Sequence, residues 1–380
     1  MSKEFDVVVY GATGFTGRLV AEYLKDHARG ARWAMAGRSA DKLANVRDLI
    51  GAPQDTPLIV ADASDEASLA AMCARTKVVL TTVGPYQLYG NELVAACVAA
   101  GIGYVDLCGE PAWMRHKIDE HHAAAQASGA RIVFSCGFDS IPFDLGVWFL
   151  QDAVIAETGK PAVRIKGRVR QMKGGMSGGT LASLKATMAA AAKHPSDIGL
   201  IKNPFALTPG FEGPTQPLRL IPEYDSETGM WAAPFIMAPI NTKNVHRTNA
   251  LLGHRYGTDF RYDEMIFTSV GEAGKAMAEA ISKMNPLADD KAPQPGEGPS
   301  KEQRDTGFYD ILFTAEGGQK AVVTGDRDPG YGSTSKMIAE SALLLAETES
   351  AGGVWTPGAL FGRSIIDRLE QHAGLTFARA

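Results

Sequence analysis

Apolar and polar positions along the first 150 residues follow two alternating periods, which predicts repeated strand and helix units. A β-branched apolar run at 5–10 is followed by apolar side chains at Leu19, Val20, Tyr23 and Leu24, a spacing that places them on one face of a helix. Such repeats build a parallel sheet with helices on both faces. We predict six parallel strands, at 5–10, 32–36, 58–61, 78–83, 104–107 and 131–136.

The pattern changes after Trp148. Basic residues alternate along a predicted strand at 164–170, an alanine-rich helix is predicted near 181–193, and two strands at 308–313 and 320–324 flank a glycine turn. A chain of 380 residues exceeds what one hydrophobic core usually supports. The prediction is therefore an α/β protein, with a doubly wound parallel sheet in residues 1–150 and an α+β substrate domain in residues 151–330.

Two stretches rich in Pro, Gly and polar residues, 194–217 and 285–306, are longer than ordinary connections. Loops of this length usually cover a site or are disordered. Either stretch is a candidate lid.

Composition narrows the classes of partner. A formal net charge of -5 with 21% charged residues offers no basic surface for nucleic acid. The longest apolar run, 93–105, falls short of the about 20 residues that an integral membrane helix needs. We expect a cytoplasmic protein without a metal site, and leave peripheral membrane contact and a homodimer open.

The four cysteines form no CxxC pair, as expected of free thiols: Cys73, Cys97, Cys108 and Cys136.

The segment GATGFTG follows the apolar run Val7-Val8-Val9 and opens a helix, the context of a dinucleotide-binding turn in a Rossmann fold. The first glycine would make the turn, the second would let a diphosphate approach the backbone, and the third would let the helix pack on the strand. The neighbouring residues offer amide or hydroxyl donors, and a purely structural turn is the alternative. The candidate phosphate-binding residues are Gly11, Thr13, Gly14, Phe15, Thr16 and Gly17.

After the second predicted strand stand Arg38 and Ser39, where an NAD-specific fold would carry an acid. A guanidinium pairs with a 2′-phosphate, so these residue types favour NADP(H), although a solvated arginine at a helix start is the alternative. Asp62, after the third strand, is a candidate for contact with the adenine ring or equally a helix cap. Ligands sit outside the carboxyl ends of parallel strands, so the end of the fourth strand should meet the ribose and nicotinamide: Val83, Gly84 and Pro85.

Seven blocks together resemble the saccharopine dehydrogenase-like oxidoreductases, and most closely their trans-acting enoyl reductase branch. The blocks are GATGFTG, AGRS, VGPYQLYG, YVDLCGEP, CGFDSIPFDLG, SGGTLAS and DPGYGSTSKM, spread over nearly the whole chain. The resemblance implies a Rossmann enzyme with an inserted substrate domain, in which residues 331–380 return to pack on the first domain. It also implies hydride transfer from NADP(H).

One block departs from the saccharopine dehydrogenases, whose corresponding segment reads more like LDPGIDH than CGFDSIPFD. The departure puts amino-acid substrates in doubt, and the enoyl reductase branch implies reduction of a C=C bond in an acyl or polyketide-type lipid. An apolar segment at 232–240 suits a wall for such a substrate, or ordinary core. Two alternatives stay open: a reductase acting on a C–N (imine) bond, and a non-catalytic NADP-binding sensor or lipid-associated protein.

Reduction of an activated C=C bond also needs a proton source. Tyr86 follows the predicted nicotinamide end, and its phenol can donate a proton or a hydrogen bond, with a structural role as the alternative. Cys136 and Asp139 belong to the block that the resemblance assigns to the substrate site, and a buried free thiol is the alternative for Cys136. Asp106 and Glu110 are candidates to orient substrate or to bind backbone amides, and capping of the helix around Trp113 is the alternative.

Overall fold

The computed structural model describes residues 3–175, 178–193, 195–285 and 296–380. Its first sheet contains seven parallel strands in the order β13-β6-β5-β4-β1-β2-β3. The doubly wound parallel sheet predicted from the sequence is therefore confirmed, with one strand more than the six expected. The strands are β1 (Phe5–Tyr10), β2 (Trp33–Gly37), β3 (Leu58–Val60), β4 (Thr76–Thr81), β5 (Gly103–Val105), β6 (Arg131–Val133) and β13 (Gly353–Trp355).

Side chains of β1 alternate between two separate hydrophobic cores, one on each face of the sheet. Val7 and Val9 belong to one core, while Val8 and Tyr10 belong to the other. Helices cover both faces because each face is apolar. The helices of this half are α1 (Phe15–His27), α2 (Ala40–Leu49), α3 (Glu66–Arg75), α4 (Tyr86–Tyr89), α5 (Asn91–Ala100), α6 (Pro111–Ser128) and α7 (Ile141–Thr158).

Two strands end earlier than the sequence pattern predicts. The fourth was expected at 78–83, but β4 ends at Thr81, whose hydroxyl accepts a hydrogen bond from the Val83 amide. The sixth was expected at 131–136, but β6 ends at Val133, and Ser135 turns the chain with a φ of 60°. These turns free the following residues to line the edge of the sheet.

The second sheet is mixed, in the order β14-β12-β11-β7-β10-β9-β8. Strands β7 and β10 pair in parallel and the other neighbours pair antiparallel, including the two strands predicted around the glycine turn. These strands are β7 (Arg164–Lys173), β8 (Glu223–Asp225), β9 (Met230–Pro234), β10 (Arg261–Val270), β11 (Phe308–Ala315), β12 (Lys320–Gly325) and β14 (Leu375–Arg379). The helices of this half are α8 (Gly178–Lys193), α9 (Pro195–Lys202), α10 (Ala238–Leu251), α11 (Gly271–Lys283) and α12 (Lys301–Asp305).

The two candidate lids contain regular structure where they are described. Helix α9 lies in the stretch 194–217 and α12 lies in the stretch 285–306. Residue 194 and residues 286–295 lie outside the described residues, so the role of these stretches as lids stays a prediction.

The last fifty residues contact both sheets. A π-helical turn at Pro329–Ser333 leads into α13 (Thr334–Glu347), which packs against α1, β1, β4 and β5. After β13, helices α14 (Pro357–Phe361) and α15 (Arg363–His372) lead to β14, which pairs with β12. One continuous core runs from the first sheet through α7 to the second. Within the residues described, none of the helices is both long and apolar enough to cross a membrane.

Candidate cofactor and substrate site

The glycine turn after β1 has no room for larger residues at two of its three glycines. Gly11 has a φ of +91°, and a Cβ there would lie 2.7 Å from Cγ2 of Val83. A Cβ at Gly17 would lie 2.1 Å from the Gly11 carbonyl oxygen, so α1 approaches the turn too closely for any side chain. The contact with Val83 also shows that the turns after β1 and β4 adjoin at one edge of the sheet.

Gly14 differs, because it is exposed and a Cβ there would meet only the Gly11 carbonyl oxygen, at 3.3 Å. It is the N-cap of α1, without a capping side chain and with no acidic residue in the first turn. A helix start of this kind presents backbone N–H groups and a positive dipole end to an anion. Thr13 is exposed and Thr16 is half-buried beside it.

The ring of Phe15 is engaged elsewhere. It packs edge-on against Tyr331 with ring centroids 5.2 Å apart, and the guanidinium groups of Arg18 and Arg304 each lie 5.6 Å from its centroid. Phe15 therefore offers a phosphate only its backbone amide, while its side chain joins α1 to the π-helical turn.

Arg38 is exposed at the carboxyl end of β2 and forms no ion pair within the described residues. Ser39 caps α2, its hydroxyl accepting the Lys42 amide at 3.3 Å. Asp62 accepts the amide and the hydroxyl of Ser64 at 2.9 and 2.8 Å, and these bonds lower the pKa of Asp62. Asp65, not Asp62, caps α3. One carboxylate oxygen of Asp62 thus fixes the turn after β3.

The turn after β4 lies between the glycine turn and the second half of the chain. Gly84 is exposed, and a Cβ there would lie 3.5 Å from the Ser183 hydroxyl of α8. Pro85 is the N-cap of the short helix α4. The residues predicted to meet the reactive end of a cofactor therefore face α8.

The hydroxyl of Tyr86 points into the protein. It donates to the Thr81 carbonyl oxygen at 3.4 Å and accepts the Leu107 amide at 3.0 Å. The side chain is 5% exposed, and burial, followed by the charge of Asp106, raises its pKa well above the usual range. This geometry favours the structural alternative for Tyr86 over proton donation.

Two buried carboxylates hold the loops around Tyr86. Glu110 accepts the amides of Tyr86 and Gln87, each at 2.9 Å, and burial raises its pKa. Asp106 accepts the amides of Cys108 and Ser135 at 3.0 and 2.8 Å, and burial raises its pKa to about 7. Of the roles considered for these acids, the binding of backbone amides is the one observed. Glu110 stands at the N-cap position of α6, but its side chain forms no capping hydrogen bond there.

Cys136 is fully buried in the core. Its Sγ lies 3.6 Å from the Val133 carbonyl oxygen, and its amide donates to the Asp106 carbonyl oxygen at 2.7 Å. Burial raises the thiol pKa well above its usual range, which keeps it protonated and unreactive. The position favours the buried-thiol alternative.

Asp139 is the candidate whose functional group is available. It is half-buried in the turn between β6 and α7, and forms no hydrogen bond or ion pair with the part of the chain described. The turn is held by the adjacent Phe138 amide, which donates to the Thr334 hydroxyl at 3.0 Å. Burial raises the pKa of Asp139 to about 6.

A cavity of about 650 Å³, which sequence reasoning did not find, opens beside the turn after β4. Helices α4 and α6 form one wall, and α8 and α9 form the other. The apolar segment predicted as a substrate wall does not line this cavity. Phe235 and Ile240 are buried in the two cores, which favours the core alternative. No cluster of metal-ligating side chains is found among the residues described.

Residues 7–133 match the family model "Saccharopine dehydrogenase NADP binding domain". Over 97% of its length, the chain is 42% identical to a Mycobacterium tuberculosis protein assigned as a trans-acting enoyl reductase and 36% identical to the trans-acting enoyl reductase of Mycobacterium leprae, with 96% of each relative covered. A saccharopine dehydrogenase (L-Glu forming) from Saccharomyces cerevisiae shares the fold, with a TM-score of 0.53 and 11% identity over 99% of this chain and 100% of that one.

Proposed function

The chain belongs to the trans-acting enoyl reductase family of NADP-dependent oxidoreductases, and from that premise we propose that it reduces the C=C bond of an enoyl group on a hydrophobic acyl or polyketide-type chain. The observation that carries the proposal is the position of Asp139. Among the residues that the structure describes, none forms a hydrogen bond or ion pair with its carboxyl, which lies at the same edge of the sheet as the glycine turn.

The residues at this edge fit NADP(H). The exposed Gly14 leaves space above the start of α1, where backbone amides suit the diphosphate. The exposed guanidinium of Arg38 suits the 2′-phosphate, since it forms no ion pair within the described chain. Gly84 and Pro85 would hold the nicotinamide end against α8. When bound, NADPH supplies the hydride for the reduction.

The chain itself has to supply the proton for the second carbon. We assign this role to Asp139, because the Tyr86 hydroxyl is occupied within the protein and the Cys136 thiol is sealed in the core. A carboxyl with a pKa of about 6 keeps its proton in part of the molecules near neutral pH, as a general acid requires. Tyr86 and Glu110 act as positioning residues for the turn after β4.

Two finer expectations also remain proposals: a homodimer, and peripheral contact with a membrane. Both are supported by the large apolar side chains exposed before the edge strand β8, at Leu218, Leu220 and Ile221. Sedimentation of the purified protein, alone and with lipid vesicles, separates the two.

The test of function measures NADPH oxidation with enoyl thioesters and, at matched concentrations, with lysine plus an oxo acid. We expect turnover of the enoyl thioesters alone. Turnover of only the amino-acid pair would favour a reductase that acts on a C–N bond. NADPH binding without any turnover would favour a non-catalytic NADP-binding sensor. Gly14→Val is the control for dependence on bound NADPH. The φ of -79° at this position tolerates valine, while the added side chain would occupy the space assigned to the diphosphate.

A further inference from the structure

The cavity of about 650 Å³ begins at the turn assigned to the nicotinamide. Gln87, three residues after Gly84, forms part of its wall, and its side-chain amide donates to the Thr187 hydroxyl of α8 at 3.4 Å. Ser183, one turn earlier on α8, stands against Gly84. The cavity thus leads away from the reactive end of the site, along α8 towards α9.

The lining of this cavity is mainly apolar, and several of its polar groups are already paired. Glu110 binds two amides, Lys117 pairs with Glu120, and His116 lies 3.5 Å from Asp197. The volume of the cavity falls within the roughly 300–1,000 Å³ that is usual for small-molecule sites. The apolar lining includes Leu88, Trp113, Ala186, Ala189, Ala190 and Ile201.

We propose that this cavity is the acyl chamber, the space that receives the hydrocarbon chain of the substrate, and that the alanines of α8 set the chain length it accepts. The inference rests on the proposed function, since it assigns a place to the chain of the same substrate. Leu88 supports it, because this leucine is 58% exposed yet faces the cavity, where a hydrocarbon chain would cover it.

Helix α8 is suited to a length-setting role. Ala186 and Ala190 are four residues apart, so they share one face of the helix, and both line the acyl chamber. A large side chain at Ala190 would enter the space that a long acyl chain needs. A short acyl chain that stays near Gly84 would not reach it.

The test compares crotonyl and hexadecenoyl thioesters as substrates of Ala190→Trp. Burial of each methylene contributes roughly a fourfold gain in affinity, so blocking several should lower kcat/KM for the hexadecenoyl thioester by at least about tenfold. The value for the crotonyl thioester should change by less than about twofold. The matched control is Ala192→Trp, on the same helix but exposed and outside the lining, which should leave both values unchanged.

A second variant tests the same chamber in case Ala190→Trp does not fold. Leu88→Asn alters the opposite wall at an exposed position, and should weaken only the long substrate. Equal losses for both thioesters, or no loss for either in both variants, would overturn the acyl chamber while leaving the reductase activity in place.

Calorimetric binding of a saturated hexadecanoyl thioester gives a readout independent of turnover. We expect the unmutated protein to bind it, and Ala190→Trp to bind it at least about tenfold more weakly. This binding pattern without enoyl reduction would retain the chamber and reject the proposed function. Equal binding by the two proteins would reject the chamber.

Discussion

Arg38 is the residue expected to select the cofactor. Its guanidinium is exposed at the end of β2, so it is available to a 2′-phosphate. A charge-assisted hydrogen bond contributes about 1.5–3 kcal/mol, so Arg38→Ala should weaken NADPH binding by roughly 10- to 100-fold. Binding of NADH, which lacks that phosphate, should not change. Fluorescence titration with both cofactors measures the effect.

The control for this prediction is Arg32→Ala. Arg32 is also exposed, but it precedes β2 at the opposite edge of the sheet and pairs with Asp6. Its removal should leave both affinities unaltered. Equal affinities for NADPH and NADH in the unmutated protein would contradict the role of Arg38.

Asp139 is the residue expected to donate the proton. If its carboxyl supplies the proton, Asp139→Asn should lower kcat by about 10²- to 10⁴-fold while NADPH affinity holds. The protonated form is the active one, so kcat should fall as the pH rises above about 6, and this pH dependence should disappear in the variant. Asp139→Glu should restore part of the rate. Normal turnover by Asp139→Asn would remove the role.

Single residues differ in how far the sequence reveals them. The spacing of Gly11, Gly14 and Gly17 is informative because neighbouring residues fix the geometry of a turn. The direction of the Tyr86 hydroxyl cannot be predicted in this way. It depends on contacts with Thr81 and Leu107, which only the folded chain brings near. For the same reason the pattern could not distinguish the sealed thiol of Cys136 from a reactive one.

At the scale of elements, the short helix α4 depends on Glu110. The carboxylate is 3% exposed and accepts two amides of the first turn of α4. Glu110→Ala would leave both amides without a partner, and each unsatisfied buried group costs about 1–3 kcal/mol. We expect a lower Tm and weaker NADPH binding, because α4 carries the turn at Gly84. Calorimetry and cofactor titration measure the two effects.

Glu66→Ala supplies the comparison. Glu66 is exposed in the first turn of α3, so its removal should change the free energy of unfolding by less than about 0.5 kcal/mol. A Glu110→Ala protein as stable as this control would show that α4 does not need the carboxylate.

Element boundaries follow the sequence pattern only where the pattern is long. The alanine-rich helix predicted near 181–193 is observed as Gly178–Lys193, because its run of helix-forming alanines is long. Strand β13 has three residues, Gly353–Trp355, too few for any period to appear. The acyl chamber was equally hidden, because its walls come from helices that lie far apart in the chain.

For the whole molecule, the βα repeats were enough to predict the parallel sheet, since consecutive units of this kind have few alternative arrangements. They did not indicate that β14 joins the second sheet beside β12, because that pairing connects the end of the chain to a distant strand. The continuous core through α7 likewise arises from contacts between both halves.

That shared interior contains several acids with raised pKa values. Burial raises the pKa of Glu264 to about 8 and that of Asp144 to about 7. The folded protein therefore binds these protons more strongly than the unfolded chain does. This difference stabilises the folded protein at low pH, and the stabilisation is lost as the pH rises through these values. His246 has the opposite effect, because burial lowers its pKa to about 3. Below its ordinary pKa of 6.5 the unfolded chain binds this proton more strongly, so the contribution of His246 to stability rises with pH there.

Between pH 6.5 and pH 8 the acids should dominate, so the free energy of unfolding should fall as the pH rises. Each such proton contributes up to about 1.4 kcal/mol per pH unit, so Glu264 alone contributes at most about 2 kcal/mol across this interval. Urea unfolding at both pH values measures the difference. Glu264→Gln removes that titration and should reduce the pH dependence, whereas Glu272→Gln, at an exposed position on α11, should leave it unchanged. A protein that becomes more stable from pH 6.5 to pH 8 would contradict this account, because its buried acids would then have to be ionised in the folded state.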